Sequence, residues 1–152
     1  ITELFPKLAV TADGMQISSV QRADTEPEFH EYATESEYIQ KLIQTARASK
    51  EFKGTTAFVA LDTETAARTA QLLGDDSPTL IGEGDTLPNS GSILLTLPLA
   101  KGLEFDHVVI VDANKEDFPE TDLSRRRLYT AISRATSTVS IFSNGELSPL
   151  LK

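Results

Sequence analysis

Four short apolar runs, separated by stretches with helical periodicity, constrain the fold of this chain more than any other feature. Each run is apolar at consecutive positions instead of alternating, which is typical of strands buried on both faces of a sheet. Strands that alternate with helices predict an α/β fold with a mainly parallel sheet and helices on both of its faces. The four predicted strands are Thr55 to Leu61, Ser92 to Leu97, His107 to Val111 and Thr138 to Phe142.

Capping signals divide the segments between these runs into helices. A side-chain oxygen just before an apolar helical face satisfies free backbone amides of the first turn, and glycine readily ends a helix. The second helix is expected to turn Ala66, Ala67, Ala70 and Leu73 inward. The signals are a Thr34–Glu37 capping box, Asp62 or Thr63 before a second helix that Gly74 ends, and Asp122 before a helix from Leu123 to about Arg134.

Weaker patterns predict shorter elements in the remaining parts of the chain. Polar residues and glycines flank each of them, so they are expected to be brief and close to the surface. They are the end of a helix at Ile1 to Leu8, strands at Ile17 to Val20 and Glu28 to Tyr32, and a brief strand at Thr79 to Ile81.

Size and composition fit one globular domain. The chain has 152 residues, of which 39% are hydrophobic, enough for a core of its own. No apolar run approaches the roughly 18 residues of a membrane span and no cysteine is present, so we expect a cytoplasmic protein. The sequence begins Ile1-Thr2-Glu3 without methionine or a signal pattern, and we interpret it as a fragment of a longer protein. The net charge of −9 argues against strong nucleic-acid binding by this domain alone.

Several common active-site patterns are absent from the sequence. A phosphate-binding loop needs glycine followed by lysine, whereas Lys53-Gly54 and Lys101-Gly102 have the reverse order. The two histidines, His30 and His107, have no partner at metal-ligand spacing, and no serine lies in a Gly-x-Ser-x-Gly turn. We therefore expect neither a self-sufficient ATPase nor a metal site in this chain.

The first cluster of polar residues follows the predicted strand at Ser92 to Leu97. Thr96 and Lys101 offer a hydroxyl and a positive charge, and Gly102 lets a ligand approach the backbone closely. Glu104 can accept hydrogen bonds from a sugar hydroxyl or orient a neighbouring arginine. Ligands bind at the carboxyl ends of strands in open α/β sheets, so the cluster predicts a site there. The alternative is a structural turn with a solvated Lys101 and a salt bridge at Glu104.

The second cluster lies on the helix predicted at Leu123 to Arg134. Arg127, Thr130 and Arg134 have the spacing i, i+3 and i+7 and are expected to share one face. Arg134 either complements the helix dipole or acts as an arginine finger, whose planar fork stabilises charge on a transferring phosphoryl group. The run Arg125 to Arg127 is either a solvated face or a contact to a phosphate backbone.

Both clusters resemble motifs of the superfamily 1A helicases, the UvrD, Rep and PcrA group. Motif V of that family has the form Thr-x-His-x-x-Lys-Gly-Leu-Glu-Phe, and motif VI has the form Arg-Arg-Leu-x-Tyr-x-x-x-Thr-Arg-Ala. A strand and an acidic loop ending in Phe-Pro lie between them. The matching residues, in the same order over roughly residues 92 to 143, are Thr96, Lys101-Gly102-Leu103-Glu104-Phe105, Val108-Val109-Ile110-Val111, Phe118-Pro119, Arg125-Arg126, Tyr129 and Ser133-Arg134-Ala135.

The resemblance implies that the whole chain is the second RecA-like domain, the C-terminal motor half of a larger DNA helicase. ATP and Mg²⁺ would be bound mainly by a first motor domain that carries the phosphate-binding loop. Arg134 would be the catalytic arginine finger and, with Gly102 and Glu104, would contact ATP. Thr96 and Lys101 would contact single-stranded DNA, and the isolated domain is expected to be inactive.

The residues within the two motifs are also similar to those of a narrower subgroup, that of helicase IV and the RNA-polymerase-associated HelD proteins. The alternative function is accordingly an ATPase that remodels RNA polymerase, and a third is a binding module that has lost catalysis. Pro98 stands where motif V has histidine, which weakens the case for an identical contact to the single strand. The partners implied are single-stranded DNA, the remaining domains of the parent protein and, for the alternative, RNA polymerase; no membrane is implied.

Overall fold

The computed structural model describes residues 27–88 and 90–152. The predicted elements at Ile1 to Leu8 and Ile17 to Val20 lie outside these residues. The strands are β1 (Glu28–Tyr32), β2 (Thr55–Ala60), β3 (Thr79–Leu80), β4 (Gly91–Thr96), β5 (Phe105–Ile110) and β6 (Ala135–Asn144). The α-helices are α1 (Glu35–Ser49), α2 (Thr63–Leu73), α3 (Leu97–Ala100) and α4 (Asp122–Ile132), and short 3₁₀ turns occupy Gly74–Asp76 and Pro149–Leu151.

One six-stranded sheet lies at the centre of the molecule, in the order β1-β6-β5-β2-β4-β3. Every pairing between these described strands is parallel, so the predicted α/β fold with a parallel sheet is confirmed. The chain leaves β2 toward β4 on one side and returns to β5 on the other. This reversal of direction occurs between β2 and β5, where doubly wound sheets commonly open a crevice at their carboxyl ends.

Helices cover both faces of the sheet, which explains why the central strands are apolar at consecutive positions. In β2, Ala57 and Val59 pack on the face covered by α3 and α4, whereas Phe58 and Ala60 pack on the face covered by α1 and α2. Successive side chains of a strand point to opposite faces, so a strand buried on both sides needs an unbroken apolar run. None of the described helices is long and apolar enough to cross a membrane.

Two of the predicted helix starts agree with the capping geometry. The Thr34 hydroxyl accepts a hydrogen bond from the Glu37 amide at 3.3 Å and also donates to the Glu37 carboxylate at 2.9 Å. Asp62 caps α2 through a 2.8 Å bond from the Thr65 amide, and Gly74 ends that helix in a left-handed conformation. These polar contacts satisfy free amides of the first turn and so fix where each helix begins.

The inward face of α2 differs from the prediction. Ala66 and Leu73 are buried as predicted, but Ala67 is exposed. Thr65 and Thr69, which were not predicted to face inward, are buried. Burial of these threonines is tolerable because the Thr69 hydroxyl donates to the Thr65 carbonyl at 2.7 Å and so needs no further partner.

The ends of α4 also differ from the prediction. Thr121, and not Asp122, is the capping residue, because its hydroxyl accepts a hydrogen bond from the Ser124 amide at 3.1 Å. The helix ends at Ile132, so Arg134 is not helical. The last strand begins at Ala135 instead of Thr138, because β6 already pairs with the first residue of β5 there.

Candidate functional site

The residues of the first polar cluster do not lie at one edge of the sheet. Thr96 ends β4 and is level with Ala60 at the carboxyl end of β2. The chain then descends through α3, and Phe105 begins β5 at the opposite, amino edge, level with Ala135. A six-residue strand at about 3.3 Å per residue places Thr96 and Glu104 about 20 Å apart along the strand direction. The expectation that the whole cluster lies at the carboxyl edge is therefore wrong. Thr96 lies at the carboxyl edge of the sheet, and Glu104 lies at the amino edge.

At the amino edge, the structure brings Arg134 next to Glu104 in space. The Phe105 amide donates to the Arg134 carbonyl at 2.8 Å, so Glu104 and Arg134 both lie at the start of the paired strands β5 and β6. Arg134 Nη2 donates to Ser133 Oγ at 3.1 Å, which orients the guanidinium. Its Nε is buried and has no acceptor among the described residues. Since Nε is closed to solvent, any ligand contact of this guanidinium at the edge falls to its Nη atoms.

Gly102 lies in the same loop and leaves room beside the backbone. It has φ +85°, a conformation that side chains other than glycine rarely adopt, and a Cβ atom built there would meet no atom within 4 Å. Open space beside an exposed backbone suits the close approach of a ligand. The residues that the sequence assigned to ATP, namely Gly102, Glu104 and Arg134, are therefore all located in one region, the loop before β5 and the residue before β6.

The start of β5 is held in place by Asp106. Its carboxylate accepts a hydrogen bond from the Thr55 amide at 2.9 Å, which ties β5 to the start of β2. Gly54 has φ +84°, and a Cβ atom there would lie 1.9 Å from Asp106 Oδ2. Only glycine at this position leaves the carboxylate its space. The sequence did not identify this pair, because Gly54 and Asp106 are distant in the chain and no spacing pattern connects them.

Both histidines have structural partners. The His107 ring lies 2.7 Å from Thr138 Oγ1 and 3.2 Å from the Lys53 carbonyl, and so connects β5, β6 and the loop before β2. His30 stacks on the Phe142 ring with centroids 4.4 Å apart. Within residues 27–88 and 90–152, no group of three or more potential metal ligands comes together.

A cleft of about 300 Å³ opens between α3 and α4, directly after Thr96. Arg127 and Thr130 share this face of α4 as expected, but Arg134 lies beyond the helix end and does not line the cleft. The expectation that all three residues share a face is therefore wrong. The lining residues are Leu97, Pro98, Lys101, Arg126, Arg127 and Thr130.

Three cations line this cleft without a hydrogen-bonded carboxylate among the described residues. Arg125 donates to the Asp122 carboxylate at 2.6 Å, whereas no ion pair or hydrogen bond within the described part of the chain engages the side chains of Lys101, Arg126 or Arg127. Hydrogen bonds from Thr65, with smaller contributions from Arg68 and Arg127, hold the pKa of Asp62 below its usual range. Since Asp62 follows the carboxyl end of β2, the charge of Arg127 lies toward that edge.

A second cavity, of about 340 Å³, lies between α1, α2 and the carboxyl ends of β5 and β6. Asp112, Asn114 and Arg68 are among its mostly polar lining residues. Asp112 is 9% exposed and accepts a hydrogen bond from the Asn144 amide at 2.9 Å; burial raises its pKa against the effect of that bond. Sequence reasoning missed this cavity, although an aspartate directly after an apolar strand was a usable signal.

The burial of Asp112 predicts a pH-dependent stability. Because the folded-state pKa is raised, the cost of the buried carboxylate is absent below the unfolded pKa of about 3.9 and grows as the pH rises through the folded value. Asp112→Asn should therefore gain stability relative to wild type as the pH increases from 4 to 7, by about 1.4 kcal/mol for each tenfold change in the dissociation constant. Urea unfolding midpoints across this range measure the difference.

Asp62→Asn provides the control of opposite sign. The folded pKa of Asp62 is lowered, so its carboxylate stabilises the fold above the unfolded pKa and loses that effect as the pH falls. Asparagine caps a helix about as well as aspartate, so this variant should lose stability relative to wild type as the pH rises. Equal pH slopes for the two variants would contradict the assigned environment of Asp112.

Comparison with known proteins agrees with the two motif positions. Residues 91–142, about a third of the chain, match the family model of the UvrD-like helicase C-terminal domain. No curated protein matches the chain. Among solved structures, the C-terminal domain of a possible DNA helicase from Lactobacillus plantarum WCFS1 is similar over 95% of this chain and 88% of that one, with 25% sequence identity and a TM-score of 0.74.

These matches confirm the resemblance at the level of a UvrD-like helicase C-terminal domain. The matched segment contains both polar clusters, from β4 to β6. The parallel sheet with helices on both faces agrees with a RecA-like domain of that kind. The comparisons give no support to the narrower subgroup of helicase IV and HelD.

Proposed function

We propose that this chain acts as the C-terminal motor half of an ATP-dependent DNA helicase or translocase. The observation that carries the proposal is the hydrogen bond from the Phe105 amide to the Arg134 carbonyl. It joins two motifs that are far apart in the sequence, and so brings Glu104 and Arg134 to one edge of the sheet. In the proposal, Arg134 is the catalytic arginine finger, and ATP and Mg²⁺ are bound mainly by a separate motor domain of the parent protein.

The groups at the amino edge fit a nucleotide. A phosphoryl oxygen is the kind of acceptor that the Arg134 fork can bind in its own plane. Glu104 is exposed in the same loop and carries oxygens that accept hydrogen bonds from ribose hydroxyls. The space beside Gly102 lets the nucleotide approach the backbone. Bound ATP supplies the scissile phosphoanhydride, and this chain supplies charge and orientation around it.

The groups at the carboxyl edge fit a single nucleic-acid strand. Thr96 offers a hydroxyl at the end of β4, and Lys101 offers a positive charge beside it in the cleft between α3 and α4. Phosphate contacts of this kind position a strand without reading its sequence. The role of both residues as DNA contacts remains part of the proposal.

The separation of the two edges suggests how hydrolysis is coupled to movement. Nucleotide and strand contacts lie about 20 Å apart on one parallel sheet, whose core is continuous between them. Closure of this domain over ATP at the amino edge therefore moves the carboxyl edge as part of the same rigid body. Cycles of closure and release would shift the strand relative to the other motor domain.

The test is the rate of ATP hydrolysis by the parent protein, with and without single-stranded DNA, beside that of this chain alone. We expect DNA to stimulate the parent protein and the isolated chain to hydrolyse no ATP. Fast hydrolysis by the isolated chain would contradict the role of a half motor. If the ATP hydrolysis rate of the parent protein does not change with DNA but rises with RNA polymerase, the polymerase-remodelling alternative is favoured.

A further inference from the structure

We infer that the cleft between α3 and α4 binds the phosphodiester backbone of a single strand, with Arg127 and Arg126 as contacts from α4. The inference rests on the proposed function and extends it, because the strand contacts assigned so far, Thr96 and Lys101, come only from β4 and the residues after it. It makes the strand site two-sided, with α3 and the following Lys101 on one wall and α4 on the other.

The first argument is the local charge. Acidic residues outnumber basic ones by 23 to 14 in this chain, so a group of three cations around one cleft departs from its overall charge. Arg125 in the same helix is neutralised by a 2.6 Å bond to Asp122. Lys101, Arg126 and Arg127 have no hydrogen-bonded carboxylate among the described residues, so they repel one another, and a bound polyanion removes that repulsion.

The second argument is the location of the cleft. It begins directly after Thr96 at the carboxyl edge, whereas Glu104 and Arg134 lie at the amino edge about 20 Å away. The effect of Arg127 on the pKa of Asp62 independently places the arginine toward the carboxyl edge. The cations therefore cannot act on the same nucleotide as Arg134, and they belong with the strand contacts.

The third argument is the shape of the lining. Leu97 and Pro98 give the cleft an apolar wall, with Pro98 exposed, and Thr130 adds a hydroxyl opposite. A nucleotide unit combines an anion with a flat, weakly polar ring and sugar, so both kinds of surface are matched. A plain acidic peptide would use the cations but leave the apolar wall uncovered.

Two residues of the cleft also differ from the motif forms given above. Pro98 stands where motif V has histidine, and Arg127 stands where motif VI has leucine after its two arginines. Both side chains line the cleft, on α3 and α4 respectively. The α4 side of the cleft thus carries a cation, Arg127, that the motif form does not specify. The α3 side carries no charge at position 98.

The experiment measures binding of a fluorescein-labelled oligothymidylate, about 15 nucleotides long, to this chain by fluorescence anisotropy over a range of salt concentrations. Arg127→Gln should weaken binding about five- to tenfold at low salt and reduce the slope of log K against log salt by about 0.7. The matched control is Arg68→Gln, which removes an arginine of α2 that lines the other cavity and not this cleft. It should stay within about twofold of wild type, because its side chain does not line the cleft.

Each other outcome overturns the inference in a distinguishable way. Equal, small effects of Arg127→Gln and Arg68→Gln on a strand that wild type binds would reject the cleft and leave the proposed motor function in place. A wild-type chain that binds no strand at low salt would also reject the cleft as a strand site. The motor function would then still be tested separately, by the ATP hydrolysis rate of the parent protein. Tighter, Arg127-dependent binding of polyglutamate than of oligothymidylate would identify an acidic protein as the partner instead. Thermal unfolding of each variant checks that both are folded.

Discussion

Replacing Arg134 by alanine in the parent protein is expected to lower ATP turnover by about 10³-fold or more. The proposed role of Arg134 is to place a planar, permanently charged fork where negative charge spreads over the transferring phosphoryl group. The measurement is steady-state ATP hydrolysis at saturating single-stranded DNA. A loss smaller than tenfold would contradict the role of an arginine finger.

The structure makes this substitution a clean test. The contact that ties Arg134 to β5 uses its backbone carbonyl, which alanine retains. Alanine also removes the Nε, which has no acceptor among the described residues, and the 3.1 Å bond from Nη2 to Ser133 Oγ. The fold should lose about 1 kcal/mol at most, so a roughly 10³-fold fall in turnover would report on catalysis and not on unfolding.

Two further variants separate charge from geometry. Arg134→Lys keeps the charge but loses the fork, so most of the activity should still be lost. Arg68→Ala removes an arginine from α2, on the far face of the sheet, and should leave turnover within about twofold. Full activity in Arg134→Lys would show that a positive charge alone is sufficient at this position.

The strands and the sheet type could be predicted from the sequence, because burial on both faces leaves an unbroken apolar run. The division of the first cluster into two edges could not. Thr96 and Glu104 are eight residues apart in the chain, and only the register of β4, β2 and β5 shows that those eight residues descend the height of the sheet. Register depends on pairing across the sheet, which a local pattern does not contain.

The end of α4 illustrates a second limit. Helical spacing continues from Arg127 through Thr130 to Arg134, and periodicity alone cannot show that the helix has already ended. Pairing of Ala135 with the start of β5 overrides the local preference and turns Arg134 toward Glu104. The same pairing places Arg134 at the amino edge, away from the cleft that Arg127 lines. The motif resemblance indicated the importance of Arg134, but not its separation from the rest of the helix.

Long-range polar pairs were the least accessible to sequence reasoning. The bond between Asp106 and the Thr55 amide joins residues 51 positions apart, and Gly54 looks like an ordinary helix stop or turn in the sequence. Neither residue has a spacing pattern that would connect it to the other. Only the fold shows that a glycine before one strand leaves room for a carboxylate on another.

Gly54→Ala is therefore expected to destabilise this chain by about 2.5–5 kcal/mol. The left-handed backbone at φ +84° costs alanine roughly 1–2 kcal/mol. The new Cβ would also lie 1.9 Å from Asp106 Oδ2, and moving that carboxylate away from the Thr55 amide costs roughly 1.5–3 kcal/mol when the bond is lost. Urea unfolding at neutral pH measures the sum.

Gly84→Ala separates the two contributions. Gly84 has nearly the same backbone angle, φ +85°, but a Cβ atom there would meet nothing within 4 Å, so only the backbone cost of roughly 1–2 kcal/mol should appear. In an Asp106→Ala background the clash is also absent, and Gly54→Ala should then cost no more than Gly84→Ala. Strictly additive effects of Gly54→Ala and Asp106→Ala would show that the two residues do not interact. A large coupling would show that this contact holds the start of β5, and with it the strand end at which Arg134 and Glu104 meet.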